Sequence, residues 1–373
     1  MLRTGGLREP RVDAVEASAY VVPTDQPEAD GTFAWTSTTL VLVQVRSGEV
    51  TGTGWTYGSP ACTTVVEHDL APVVVGHDAL AVPAAWERMR HALRNIGRPG
   101  VAGMALSAVD IALWDLAGRL LGMPLHRLLG PAQVEVPVYG SGGFTTYDAD
   151  RLAAQLGGWV HEQGIPRVKI KIGEAGGSRT ERDLDRVAQA RAVIGPEAEL
   201  YVDANGAYTV GQAVRVAERF APYDVRWFEE PVSSDDPEGL AHVRSHCRAD
   251  VAAGEYGFDL ASFERLCDAG AVDCLQVDVT RCGGITELRR VAAVAAAHGL
   301  QVSGHCAPYA HLAVLTTVPN LRHLEWFHDH VRIETMLFEG CPEPLGGALR
   351  PPAEPAGHGL TWLPRAAAPY RVR

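Results

Sequence analysis

The amino-acid sequence predicts a parallel β/α barrel joined to a smaller α+β domain. The first reason is that strand-like and helix-like runs alternate from residue 134 onward, with eight strands in all. The second is that seven of those strands end in residues able to do polar chemistry. They are Lys169 and Lys171 in VKIKIG, Asp203 in LYVDANG, Glu229 in VRWFEEP, Glu255 in DVAAGEY, Asp278 in CLQVDVT, His305 in LQVSGHC and Glu325 in LRHLEWF. From Lys171 onward the anchors are 32, 26, 26, 23, 27 and 20 residues apart, about one strand-plus-helix unit each. A parallel barrel gathers its functional groups in this way, from the C-terminal ends of several strands onto one face. The third is length, since 373 residues suit a barrel of roughly 200 or more plus a second domain.

In chain order, ASAYVVP and TTLVLVQVRSG read as strands. Residues 23–32, which carry Pro, Asp and Gly, read as a mobile loop, and TGTGWTYGSPAC as a second loop. AAWERMRHALRNIG and VAGMALSAVDIALWDLAGRLLG read as helices. In the latter, Ala108, Ile111, Ala112, Leu116 and Leu120 recur at helical spacing, and Gly122 with Pro124 supplies a stop. Strands followed by helices describe an α+β domain over residues 1–131.

The barrel is expected over residues 132–341. VEVPVYGSGGF supplies its first strand, and DADRLAAQLGGWVHEQG, RTERDLDRVAQARAVIG, TVGQAVRVAERFAPY, LASFERLCDAG and GITELRRVAAVAAAHG supply helices between later ones. An open doubly wound sheet would carry a Gly-rich phosphate turn after its first strand. YGSGGF lacks the GxGxxG spacing, and no Walker motif occurs. The Pro/Gly-rich tail, residues 342–373, reads as a return to the first domain.

Composition excludes several function classes. A net charge of −12 argues against nucleic acid or an anionic membrane as partner, because either needs a basic face. It leaves room for a small anionic substrate beside a local cation. No apolar run is expected to span a membrane, and MLRTGGLREP lacks the apolar core of a secretion signal. Seven cysteines form an odd set with no CxxC pair, which fits reduced thiols in the cytoplasm. Cys306 adjoins His305 but, like most free cysteines, is expected to be packing.

The strand-end residues carry the chemistry. Asp203, Glu229 and Glu255 end three successive strands. Three carboxylates meeting at one point repel unless protonated or bridged by a cation, and an all-oxygen set selects Mg²⁺. Lys169 and Lys171 lie two apart on a strand and share one face, while Val168, Ile170 and Ile172 are apolar. Like charge and desolvation are expected to lower a lysine pKa and make a base. Asp278 and His305 end neighbouring strands, as an imidazole and its orienting carboxylate would. Glu325 is expected to be protonated and to donate to a developing oxyanion. His323, His328 and His330 lack helical i, i+4 spacing and are assigned to loop and surface.

These positions, in this order, resemble the mandelate racemase subgroup of the enolase superfamily. The likeness covers most of the chain. It includes SAVDIALWDLAGRLLGMPLHRLLG, the KxK strand, the three acids, DVTRCGGIT and GHCAPYAHL. It implies a modified (β/α)7β TIM barrel under an α+β capping domain. It also implies Mg²⁺ held by Asp203, Glu229 and Glu255, which binds the substrate carboxylate and stabilises the enediolate formed by loss of the α-proton. Lys171 would be the base on one face, with Lys169 supporting the carboxylate. The Asp278–His305 pair would act on the other face, and Glu325 would bond a carboxylate oxygen. Muconate-lactonizing enzymes and dipeptide epimerases carry a lysine where this chain has Asp278, and enolase proper lacks the KxK pattern.

Bases on both faces leave two reactions open: dehydration of an acid sugar to a 2-keto-3-deoxy acid, and racemisation or epimerisation of a 2-hydroxy acid. The first is the commoner outcome in the resembling subgroup. A non-catalytic relative would have lost a ligand or base, and none is missing. The family also implies a homo-oligomer, dimer or octamer. Substrate choice is expected in capping loops 24–35 and 55–60. Trp35 and Tyr57 there read as contacts or packing alike.

Overall fold

The computed structural model describes residues 9–373. The first eight residues, part of the expected capping domain and of the segment examined for a signal, lie outside the described residues. The chain begins with a three-stranded antiparallel sheet in the order β1 (Ala14–Ala29), β2 (Ala34–Ser47) and β3 (Val50–Tyr57). Two expectations fail here. Most of residues 23–32 belong to β1, which runs through a register shift between Pro23 and Glu28. Because β1 is an edge strand, Pro23 removes no ladder bond on its open side.

The stretch expected as a second loop is largely β3. Its glycines serve close approach, since a Cβ at Gly52 or Gly54 would lie 2.3 Å from the carbonyl oxygen of Ala112 or Ala108. Those carbonyls belong to the helix Val101–Leu120, which lies across the sheet. Against expectation, this helix is long and apolar enough to cross a membrane by length and composition alone. It is, however, mostly buried inside the protein.

Eight parallel strands then close into a barrel: β4 (Val136–Gly142), β5 (Arg167–Lys171), β6 (Glu199–Asp203), β7 (Val225–Glu229), β8 (Asp250–Ala253), β9 (Cys274–Val277), β10 (Gln301–Gly304) and β11 (Leu321–Phe327). β11 pairs with β4 to shut the ring, Glu325 standing beside Tyr139. A helix lies between each strand and the next. On β5, Val168 and Ile170 join the main apolar core while Lys169 and Lys171, at the alternate positions, join the cluster of acids inside. The fold is thus a TIM barrel with a capping domain.

The tail threads back across both parts. Ala348–Leu349 pairs antiparallel with the start of β4, Thr361–Trp362 pairs with Phe338–Glu339, and Val372 N donates to Ala19 O at 2.9 Å. Buried carboxylates pin the cap to the barrel and to the tail. Asp110 accepts from the backbone N and hydroxyl of Thr286, at 2.9 and 2.6 Å. Asp115 accepts from Thr53 N and His358 N, both at 2.8 Å. Glu334 accepts from the Trp55 indole at 2.8 Å and the Tyr57 hydroxyl at 3.2 Å.

Candidate active site

All eight residues singled out by sequence meet at the C-terminal mouth of the barrel, each at most 6% exposed. Parallel register does most of the placing. Lys171 stands beside Asp203, and Asp203 beside Glu229. Glu255 lies just past β8, beyond Gly254 at φ +132°, where a Cβ would stand 2.4 Å from Gln276 O. Only glycine fits that corner. Four non-glycine residues just past strand ends also adopt positive φ: Asn205, Glu230, Cys306 and Ala307. Strained backbone of this kind gathers where the fold must aim side chains.

One oxygen from each of Asp203, Glu229 and Glu255 lies within 4.8 Å of the others. Lys171 contacts Asp203, while Lys169 contacts Glu229 and reaches Glu325 at 2.8 Å. His305 Nδ1 pairs with Asp278 Oδ2 at 2.9 Å. Its Nε2 lies 3.3 Å from Glu255 Oε2, an atom that has no hydrogen-bond partner. Glu325 accepts from Ser141 Oγ at 2.6 Å and Cys306 N at 2.9 Å.

Charge states differ from the sequence expectation at both lysines and at Glu325. Burial favours a neutral Lys171, but Asp203 outweighs it and the pKa is raised. Lys169 is raised likewise, burial being overcome by Glu229 and Glu325. Acids, not like charge, are thus the dominant neighbours of the lysines. Glu325 was expected to be protonated. Burial does push it up, yet Lys169, His305 and Lys171 together hold it well below the carboxylate range. It is an acceptor here, not a donor.

Burial likewise pushes Glu255 and Asp278 up, and His305 and Arg281 bring both below their ordinary values. Around His305, burial favours the neutral ring, but Cys306, Glu255, Glu325 and Asp278 raise its pKa well above the usual value. Two acids remain without enough positive charge. Burial and Asp203 raise Glu229 to about 8, and burial and Glu255 raise Glu230 well above the ordinary carboxylate value. A buried cluster of carboxylate oxygens that resists ionisation, with a bare oxygen on Glu255, fits a divalent cation. All-oxygen donors match Mg²⁺.

Sequence reasoning missed Arg281, which contacts Asp278 Oδ2 and Glu255 Oε1 at 3.3 and 3.4 Å. Its place three residues after Asp278 was the available signal. Glu230, adjacent to Glu229, was also passed over. His323 and His330 are buried rather than on loop or surface. His323 sits on β11 among Tyr139, Tyr201 and Trp227, and the His330 ring stacks 3.4 Å from that of Tyr57. His328 alone is partly exposed, 3.1 Å from Asp25. Tyr57 is packing, while Trp35 packs against the cluster that contains Cys306 and Phe144.

Known proteins resemble this chain over nearly its whole length. The family model described as Enolase C-terminal domain-like matches residues 151–366. The Mandelate racemase / muconate lactonizing enzyme, N-terminal domain model matches residues 17–130. The chain is 32% identical over 340 residues to a 3,6-anhydro-alpha-L-galactonate cycloisomerase of Streptomyces coelicolor, covering 88% of this chain and 93% of the relative. A mandelate racemase/muconate lactonizing enzyme-like protein from Rubrobacter xylanophilus superposes with a TM-score of 0.94 at 50% identity, over 97% of this chain and 100% of that one. An L-talarate dehydratase from Polaromonas, solved with Mg and L-glucarate, superposes with a TM-score of 0.87 at 27% identity, over 97% and 98%.

Proposed function

The chain belongs to the mandelate racemase subgroup of the enolase superfamily, and on that footing we propose that it dehydrates an acid sugar to a 2-keto-3-deoxy acid. The supporting observation is that two proton carriers, Lys171 and His305, flank one cluster of three buried carboxylates from three successive strands. The cofactor is Mg²⁺, and Asp203, Glu229 and Glu255 are the residues proposed to hold it. When bound, it takes up the carboxylate charge that now keeps Lys171 protonated, and stabilises negative charge spreading onto the substrate carboxylate as the α-proton leaves.

The side chains divide the remaining work. Lys171 Nζ removes the α-proton. Lys169, clamped between Glu229 and Glu325, presents positive charge to the substrate carboxylate. His305 Nε2 delivers a proton to the departing β-hydroxyl, with Asp278 on Nδ1 fixing the ring and stabilising its charged form. Glu325, being ionised, holds Lys169 and the Cys306 backbone in place. In this reading residues 1–131 and 342–373 cover the substrate, and residues 132–341 supply the chemistry. The seven cysteines are all free, which supports a reducing, cytoplasmic setting.

The test is turnover of a sugar-acid library by purified protein plus Mg²⁺, read with semicarbazide. An α-keto product supports dehydration. A change in optical rotation without a keto product replaces it with racemisation or epimerisation. A ring isomer would make the chain a cycloisomerase, the activity of its Streptomyces relative.

A further inference from the structure

Beneath the carboxylate cluster the barrel is filled by an aromatic layer, Tyr139, Tyr201 and Trp227. From this layer the Trp227 indole donates to Glu229 Oε2 at 2.8 Å. Gln276 Nε2 donates to the same atom at 2.9 Å. A carboxylate oxygen has two in-plane lone pairs, so Oε2 is fully engaged from below, and Oε1, which meets Lys169, is the oxygen that a ligand could reach.

The other two acids are held in the same way. Asp203 Oδ1 accepts from Asn205 N at 2.9 Å, and Glu255 Oε1 faces Arg281 Nη1 at 3.4 Å. Each acid therefore has one oxygen tied to the surrounding frame and one that meets only the proton carriers and lysines of the site: Lys171 and Lys169 at Asp203, Lys169 at Glu229 and His305 at Glu255. Gln276 is the least expected of these partners. It is fully buried, its Oε1 has no partner, and its amide hydrogens reach only Glu229 and the Tyr139 hydroxyl, the latter at 3.2 Å. A buried amide with an orphaned oxygen costs stability that an apolar side chain would not.

We propose that Gln276 and Trp227 are positioning residues that restrict the cage to one oxygen per carboxylate and thereby select small octahedral cations over Ca²⁺. Mg²⁺ needs near-ideal octahedral geometry at about 2.0–2.1 Å and accepts single oxygens plus water, whereas Ca²⁺ takes six to eight oxygens at about 2.3–2.6 Å and often binds carboxylates through both. A Glu229 that cannot rotate withholds the second oxygen. The inference rests on the cation assignment made above.

Calorimetric titration of Mg²⁺ and Ca²⁺ into the wild type, Gln276→Leu and Trp227→Phe tests it without any turnover assay. The wild type should bind Mg²⁺ at least about tenfold more tightly than Ca²⁺. Each variant should lose about tenfold in Mg²⁺ affinity, within the range typical of partners behind a metal ligand, and should move Ca²⁺ affinity by less than about twofold. The ion-free melting temperature of Gln276→Leu should not fall, which separates positioning from a structural role. An unchanged Mg²⁺/Ca²⁺ ratio in both folded variants overturns the inference and leaves the cage assignment intact. Failure of the wild type to bind Mg²⁺ overturns both.

Discussion

Buried acids occur in two regions of this molecule and meet opposite fates. At the barrel mouth, Glu255, Asp278 and Glu325 are held below the ordinary carboxylate range because Lys169, Lys171, Arg281 and His305 surround them. At the seam between cap and barrel, burial pushes Glu28 to about 8, Glu334 to about 8 and Asp110 to about 7. Each accepts hydrogen bonds from neutral donors: the Trp35 indole, the Trp55 indole and Tyr57 hydroxyl, and Thr286. Burial is equal in the two places, so the charge of the neighbours decides whether a carboxyl stays ionised; at the mouth itself Glu229 and Glu230, crowded by other acids, go the way of the seam. The mouth keeps charge ready for chemistry, and the seam disposes of it to hold two domains together.

The largest effect that would sharpen this contrast is on turnover. Lys171→Ala and His305→Asn should each lower it by about 10³-fold or more while leaving the circular dichroism spectrum unchanged. A Lys171→Ala protein with full activity would remove the base assignment. Isosteric neutralisation comes next. Glu325→Gln should cost about 3 kcal/mol in urea unfolding, because it strips charge from a buried ion cluster. Glu334→Gln, already uncharged in function, should cost under about 1 kcal/mol. Equal costs would break the comparison.

The change that needs the finest measurement concerns pH. The folded pKa of Glu28 is raised to about 8 from an ordinary 4.5, first by burial and then by Asp329. The folded state therefore binds the extra proton between those values. The contribution of Glu28 is complete below pH 4.5 and is lost as pH climbs through 8. The melting temperature should fall over that window, and Glu28→Gln should flatten the slope by up to about 1.4 kcal/mol per pH unit. The acids of the mouth act in the other direction and below that window, where protonation of Asp278 or Glu325 costs stability as pH falls.

The barrel and its anchors were legible because strand, helix and functional residue repeat together. One period of roughly 26 residues carries both fold and site. Charge states were not legible, since they depend on which strand ends face each other. The sequence put Lys169 beside Lys171, yet the nearest partner of Lys171 is Asp203, one strand away. Glycines misled the reading of β3, where Gly52 and Gly54 make room for a helix and form no turn. His323 escaped because inward and outward positions on β11 look alike until the barrel closes around Tyr139 and Trp227.

The apolar helix Val101–Leu120 has a consequence for synthesis on the ribosome. Its sheet precedes it, but the groups that satisfy Ser107, Asp110 and Asp115 arrive with Gly283, Thr286 and His358. At about 5–20 residues per second, roughly ten to thirty seconds separate the helix from Thr286. Throughout that interval a nascent chain presents a long greasy segment whose acids lack their final partners. Such a chain should engage holding chaperones early, begin to leave them once the sixth barrel strand and Thr286 have been made, and be released fully only with the tail that carries His358.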